Sequence, residues 1–147
     1  MDSIARLVEE AERLDVDMAI EPVYWHPLED LETTVNVFEK MNSDHLKMIF
    51  DPANVLEFPK IDQDAYWKEW LCVLGDKVEA IHMKDFVVQD GKLVSVAAGT
   101  GEMNYEKIIR FIKERKPYIH VTLENTTPEN AVQSKEYIQG LYDSCRI

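Results

Sequence analysis

Cysteine is almost missing from this chain. Cys72 and Cys145 are the only two among 147 residues and form no CxxC pattern, which excludes a disulfide scaffold. No signal-peptide pattern opens the sequence, since Met1, Asp2 and Ser3 lead directly into an amphipathic stretch, and the expectation is a reduced, cytoplasmic protein. Basic residues are also scarce. Sixteen Lys and Arg face 28 Asp and Glu, a formal charge of -12, so a phosphate backbone is repelled and no nucleic-acid partner is expected. No uncharged run approaches the roughly 20 apolar residues of a membrane span, so no membrane partner is expected either. With only five glycines and six prolines there is no low-complexity tract or linker. What remains is 46% hydrophobic and 10% aromatic, enough for the core of one domain over residues 1–147.

Periodicity divides that domain into alternating elements. Ile4, Leu7, Val8, Ala11 and Leu14 recur at helical spacing, predicting a helix from Ser3 to Leu14. Asp17 to Val23 alternates as a strand does and ends in a Pro-containing turn. The cycle then repeats three times. Leu28, Leu31, Val35, Phe38 and Met41 mark a helix, Leu46 to Asp51 a strand, Ala65 to Leu74 a helix, and Val78 to Val88 a strand. A loop with Gly91, Gly99 and Gly101 follows, then a helix through Ile108, Ile109 and Ile112 to Arg115, a strand from Tyr118 to Leu123, and a helix from Pro128 to Cys145. Strands separated by helices require crossovers, which favour a parallel sheet covered by helices, so the class is α/β.

In such a sheet all strands point one way, and ligands bind at their carboxyl ends. Glu21, Asp51, His82 and Glu124 each fall near such an end, in the motifs AIEP, IFDP, IHMKD and TLEN. They recur at intervals of about one strand–helix repeat, so adjacent strands bring them together. A lone acidic residue there is ordinarily a helix cap or a solvated loop group; four in register are not. Three carboxylates and an imidazole repel one another unless a cation joins them. Oxygen-rich ligands with one nitrogen and no thiolate suit Mn, Mg, Co or Zn.

The surrounding residues carry weaker signals. Asn54 and Lys84 are placed to support that cluster or to touch substrate, and Asp85, on the other side of its strand, to anchor a loop or orient a ligand. Trp25 and His26, in the turn after AIEP, sit at the mouth for substrate contact or loop packing. Trp67 and Trp70 fall at helical spacing and read as core. His120 is expected in an interior layer below the site, and His45 in the turn before a strand. GTGEMNY, Gly99 to Tyr105, has the look of a phosphate-gripping turn but lacks a Walker lysine, so a tight turn with Asn104 capping the next helix is the better reading.

The ordered set AIEP, FDPANVL, IHMKD with AGTGEMNYEKII, and TLEN resembles the carboxyl-terminal half of the xylose isomerase-like TIM barrels. These include sugar-phosphate isomerases and epimerases, tagatose/psicose-type 3-epimerases and inosose dehydratases. The resemblance implies half of a (β/α)8 barrel, four parallel strands with helices preceded by one amino-terminal helix. It implies a divalent metal on Glu21, Asp51, His82 and Glu124, with Glu21 and Glu124 as the acid–base pair. It also implies carbohydrate chemistry on a small sugar or sugar phosphate, in which the cation polarises a ketose carbonyl, one carboxylate takes the adjacent proton and another group returns it. Asn54, Lys84, His26 and Trp25 are the expected substrate contacts. Asn54 stands where several epimerases carry histidine, and Phe86, Val87 and Val88 stand where they carry arginine.

A complete eight-unit barrel takes about 250 residues. Four strands leave two unpaired edges and, on this reading, one apolar face, so a homodimer in a four-plus-four arrangement or a complementary amino-terminal half is expected. Two other readings share the fold: a non-catalytic half barrel with a structural or regulatory role, and an apurinic-site nuclease like the endonuclease IV family. Few histidines and the negative charge weigh against the nuclease.

Overall fold

The computed structural model describes residues 2–57 and 62–147. Its elements run α1 (Asp2–Leu14), β1 (Met18–Ile20), α2 (Leu31–Met41), β2 (Leu46–Phe50), α3 (Gln63–Leu74), β3 (Val78–Met83), β4 (Asp85–Gln89), β5 (Lys92–Val96), α4 (Glu106–Arg115), β6 (His120–Leu123) and α5 (Ala131–Ser144). β1, β2, β3 and β6 form one parallel sheet in that order. The fold is therefore an α/β half barrel, with five α-helices among the described residues, the first of them before the first strand.

Alternation along each strand separates two environments. Leu46, Met48, Phe50, Val78, Ile81 and Met83 are buried and pack against Phe38, Trp67, Trp70, Leu74, Ile108 and Ile112 of the helices. Trp67 and Trp70 are fully buried core residues, as their spacing predicts. Helix ends follow local chemistry: the Asp30 side chain accepts from the Thr33 amide at the start of α2, and Asn42 closes that helix at φ 43.

The opposite face is only in part the expected apolar surface. The large exposed hydrophobics among the described residues lie outside the four-stranded sheet, and its open face presents Ala19, Lys47, Ile49, Ala80, His120 and Thr122. His120 lies on that face below the strand ends, as expected, but it is exposed. It pairs with Ala80 at the start of β6, which is an edge strand, so no further strand covers it.

The expected strand from Val78 to Val88 is two strands. β3 ends at Met83, and the chain turns after Lys84 into β4, which pairs antiparallel with β5. Asp90 at φ 49 and Gly91 at φ 72 make the two-residue turn between them, the left-handed pair that suits a twisted hairpin. Other boundaries moved less: β1 stops at Ile20, and β6 begins at His120 rather than Tyr118.

Candidate metal centre

Each of the four expected residues sits at a strand's carboxyl end. Glu21, Asp51 and Glu124 directly follow β1, β2 and β6, and His82 is the penultimate residue of β3. Ligand-capable atoms of Glu21, Asp51 and His82 lie within 4.8 Å of one another. Glu124 stands at the rim of that trio. Its Oε1 is 2.9 Å from His82 Nδ1, and its Oε2 is 2.8 Å from Lys84 Nζ. His82 Nδ1 is also 3.6 Å from Glu21 Oε2.

Local chain chemistry aims these groups. Asp51 begins a DPAN turn in which Oδ1 accepts from the amides of Ala53 and Asn54, both at 3.0 Å. That fixes the carboxylate and leaves Oδ2 facing the cluster, 2.7 Å from Lys84 Nζ. Asn54 returns in the same turn to donate from Nδ2 to Glu21 Oε1 at 2.6 Å. Asn54 and Lys84 are thus part of the cluster's own hydrogen-bond and charge network.

The donor set fits a divalent cation. Asp51 Oδ2 and His82 Nδ1 are buried, and their partners are charged groups of the cluster itself, Lys84 Nζ and Glu124 Oε1. Carboxylate oxygens with one imidazole nitrogen are hard donors suited to Mg, Mn, Co or Zn.

Electrostatics match the burial. Desolvation pushes the Asp51 carboxyl above the usual carboxylate range, against the pull of Lys84 and the Asn54 amide. Burial alone would also raise Glu124 and depress Lys84. Their mutual pairing outweighs it: with Lys84 and His82 beside it Glu124 is lowered, and with Asp51 and Glu124 beside it Lys84 is raised.

The mouth residues lie farther out. Trp25 is 80% exposed at φ 69, with its ring 4.6 Å from that of Tyr24, and His26 is exposed on the same turn. Trp25, Tyr24 and Asn54 line a cleft of about 620 Å³ whose other wall is the β4–β5 hairpin with Lys92 and Ser95. That wall was absent from the expectations. Its signal was the Asp90-Gly91 pair between alternating residues.

The glycine turn is closed to anions because it already holds one. Asp85 is buried, and its carboxylate accepts from the amides of Phe86 and Met103 on Oδ1 and of Gly99 on Oδ2. It anchors the loop, as expected, and Asn104 Oδ1 caps the Glu106 amide at the start of α4. Tyr105, whose role the sequence did not reveal, donates its hydroxyl to the Lys84 carbonyl at 2.8 Å and so braces the centre from below. The other histidines stay away: His45 pairs with Asp17 at 3.1 Å in the turn before β2, and His120 is exposed.

Comparison with known proteins agrees with this architecture. A family model described as xylose isomerase-like TIM barrel matches residues 1–141. No curated protein matches by sequence. Among solved structures, a xylose isomerase domain protein from Planctomyces limnophilus superposes with TM-score 0.71 at 20% identity, over 97% of this chain and 50% of that one. The IOLI protein, solved with a binding zinc atom, gives TM-score 0.70 at 18% identity over 99% and 55%. The 3-keto-D-glucoside 4-epimerase YcjR from E. coli gives 0.67 at 13% over 95% and 51%. The chain spans about half the length of these solved relatives. By its sequence match, and with the half-barrel sheet that goes with it, the chain belongs to the xylose isomerase-like TIM barrel family.

Proposed function

We propose that this chain carries the cation centre and the proton-transfer groups of a sugar or sugar-phosphate isomerase or epimerase. The observation that carries the reading is the convergence of ligand-capable atoms of Glu21, Asp51 and His82 within 4.8 Å of one another at adjacent strand ends. Glu21, Asp51, His82 and Glu124 hold the ion, whether Mn, Mg, Co or Zn. Once bound, a divalent ion supplies Lewis acidity that polarises a carbonyl and acidifies the adjacent C–H. The zinc in the IOLI structure and the epimerase activity in YcjR's description support this assignment.

Glu21 and Glu124 move the proton. Asn54 holds Glu21 through Oε1, leaving Oε2 toward the cluster, and Lys84 and His82 keep Glu124 ionised as an acceptor. Asn54 and Lys84 position substrate oxygens beside the centre. Trp25 offers an exposed ring for the C–H face of a sugar in the cleft, with His26 at its rim. The free edges of β1 and β6 are covered by a second copy, four strands plus four, or by a complementary amino-terminal half.

Deuterium exchange tests the chemistry. With Mn2+ and D-tagatose or L-ribulose in D2O, deuterium enters the carbon beside the carbonyl, and Glu21→Gln slows that entry by about 100-fold or more. Mn2+ binding without exchange for any ketose sugar or ketose phosphate tried would instead favour the second reading, a non-catalytic half barrel. The open side of the sheet, where β1 and β6 are edges, is the observation behind that reading. Only His82 of the four histidines joins the cluster, which weighs against the multi-histidine site of an apurinic-site nuclease.

A further inference from the structure

Lys84 occupies an unusual position for an ammonium group. It is 5% exposed and reaches between two carboxylates, 2.7 Å from Asp51 Oδ2 and 2.8 Å from Glu124 Oε2. Its main chain is fixed by the buried Tyr105 hydroxyl, which donates to its carbonyl at 2.8 Å. Lys84 therefore does not reach in from solvent; the fold builds a positive charge into the centre.

We propose that Lys84 is a resident counter-cation that limits to two the positive charge the centre accepts. The inference rests on the metal-centre reading above and goes beyond it. Glu21, Asp51 and Glu124 carry three negative charges, and Lys84 reduces the set to a net two. A divalent ion balances that remainder, and a trivalent ion exceeds it. The balance is strongly felt because Asp51 is fully buried, where excess charge is weakly screened. The geometry also sets what Lys84 must do. It holds Asp51 Oδ2, the oxygen that Oδ1's amide contacts leave free for an ion, and it draws Glu124 to the rim of the trio. An ion entering at Asp51 Oδ2 therefore either shares that oxygen with Lys84 or displaces its ammonium group.

The test compares Mn2+ affinity by calorimetry with Tb3+ affinity by luminescence in the EDTA-treated chain, Lys84→Met and Lys84→Arg. Repulsion by a fixed positive charge scales with the charge of the ion. Lys84→Met is expected to bind Mn2+ about 100-fold and Tb3+ about 1000-fold more tightly, a shift of about tenfold in preference toward Tb3+, while Lys84→Arg keeps the wild-type preference. If Lys84→Met fails to fold by circular dichroism, the wild-type chain decides the matter. The 15N signal of the Lys84 ammonium must then move or broaden on addition of one equivalent of Zn2+. An unchanged Tb3+/Mn2+ preference in folded Lys84→Met, or a Lys84 signal indifferent to bound Zn2+, overturns the proposal and leaves the metal centre standing. A wild-type chain that binds none of these ions overturns both.

Discussion

Tyr105 contributes a hydroxyl rather than a charge. Its phenol is buried against Asp85 and Tyr137, and desolvation, reinforced by the negative charge of Asp85, raises its pKa far above the ordinary value. A folded-state pKa raised above the unfolded one means that the unfolded chain loses its proton first as pH rises. The stability this group provides is thus fully present below about pH 10 and declines above it, by about 1.4 kcal/mol per pH unit. Urea midpoints measured from pH 8 to 11 should show that decline. Tyr105→Phe removes the hydrogen bond to the Lys84 carbonyl, is expected to cost about 1 kcal/mol at neutral pH, and flattens the alkaline slope. An unchanged slope would mean that other groups govern the alkaline limb. At this scale the sequence was informative where chemistry repeats: Glu21, Asp51, His82 and Glu124 were legible because each ends a strand. Tyr105 was not, because nothing in a single tyrosine after a glycine turn marks it as the brace of a lysine two elements away.

Elements were legible where hydrophobic period and length agreed. α3 and α4 were found within a few residues because Trp67, Trp70, Ile108, Ile109 and Ile112 keep helical spacing. The segment after His82 misled because β3 and β4 are both strand-like and nearly contiguous, and periodicity does not report a change of direction. The turn at Lys84 is fixed by tertiary contacts: Asp85 leaves the sheet to collect the amides of Gly99 and Met103 from the loop that follows the hairpin. That packing leaves no room at Gly101, where a Cβ would run into the Phe86 carbonyl and the Asp85 carboxylate. Gly101→Ala is expected to cost about 1–3 kcal/mol in denaturant unfolding and to disturb the β4–β5 hairpin before the parallel sheet. Hydrogen exchange that rises in β4 and β5 while β2 and β3 stay protected would show it. Equal loss of protection in both sheets would contradict the assignment of Asp85 as the hairpin's own anchor.

The molecule as a whole presents four parallel strands whose outer face is covered by helices and whose inner face mixes Ala19, Ile49 and Ala80 with Lys47, His120 and Thr122. That inner face carries the strand-end charges above the mixed layer, so it is only partly the apolar face expected. The features that favour association are the unpaired edges, three residues long in β1 and four in β6, and the apolar part of the open face. Light scattering is expected to find a dimer, or a monomer that becomes a one-to-one complex when an amino-terminal half barrel of the family is added. A monomer that ignores such a half would contradict the proposed pairing. Neither outcome bears on the centre itself, since all four strand-end residues lie within this chain. Bound ion should also add stability, about 2.7 kcal/mol at a hundred times the dissociation constant. The most direct test is calorimetric titration of the EDTA-treated chain with Mn2+, alongside Asp51→Asn and His82→Ala. The predicted result is one ion bound per chain in the wild type and none in either variant; no binding at millimolar Mn2+, or binding undiminished in both variants, would contradict the account.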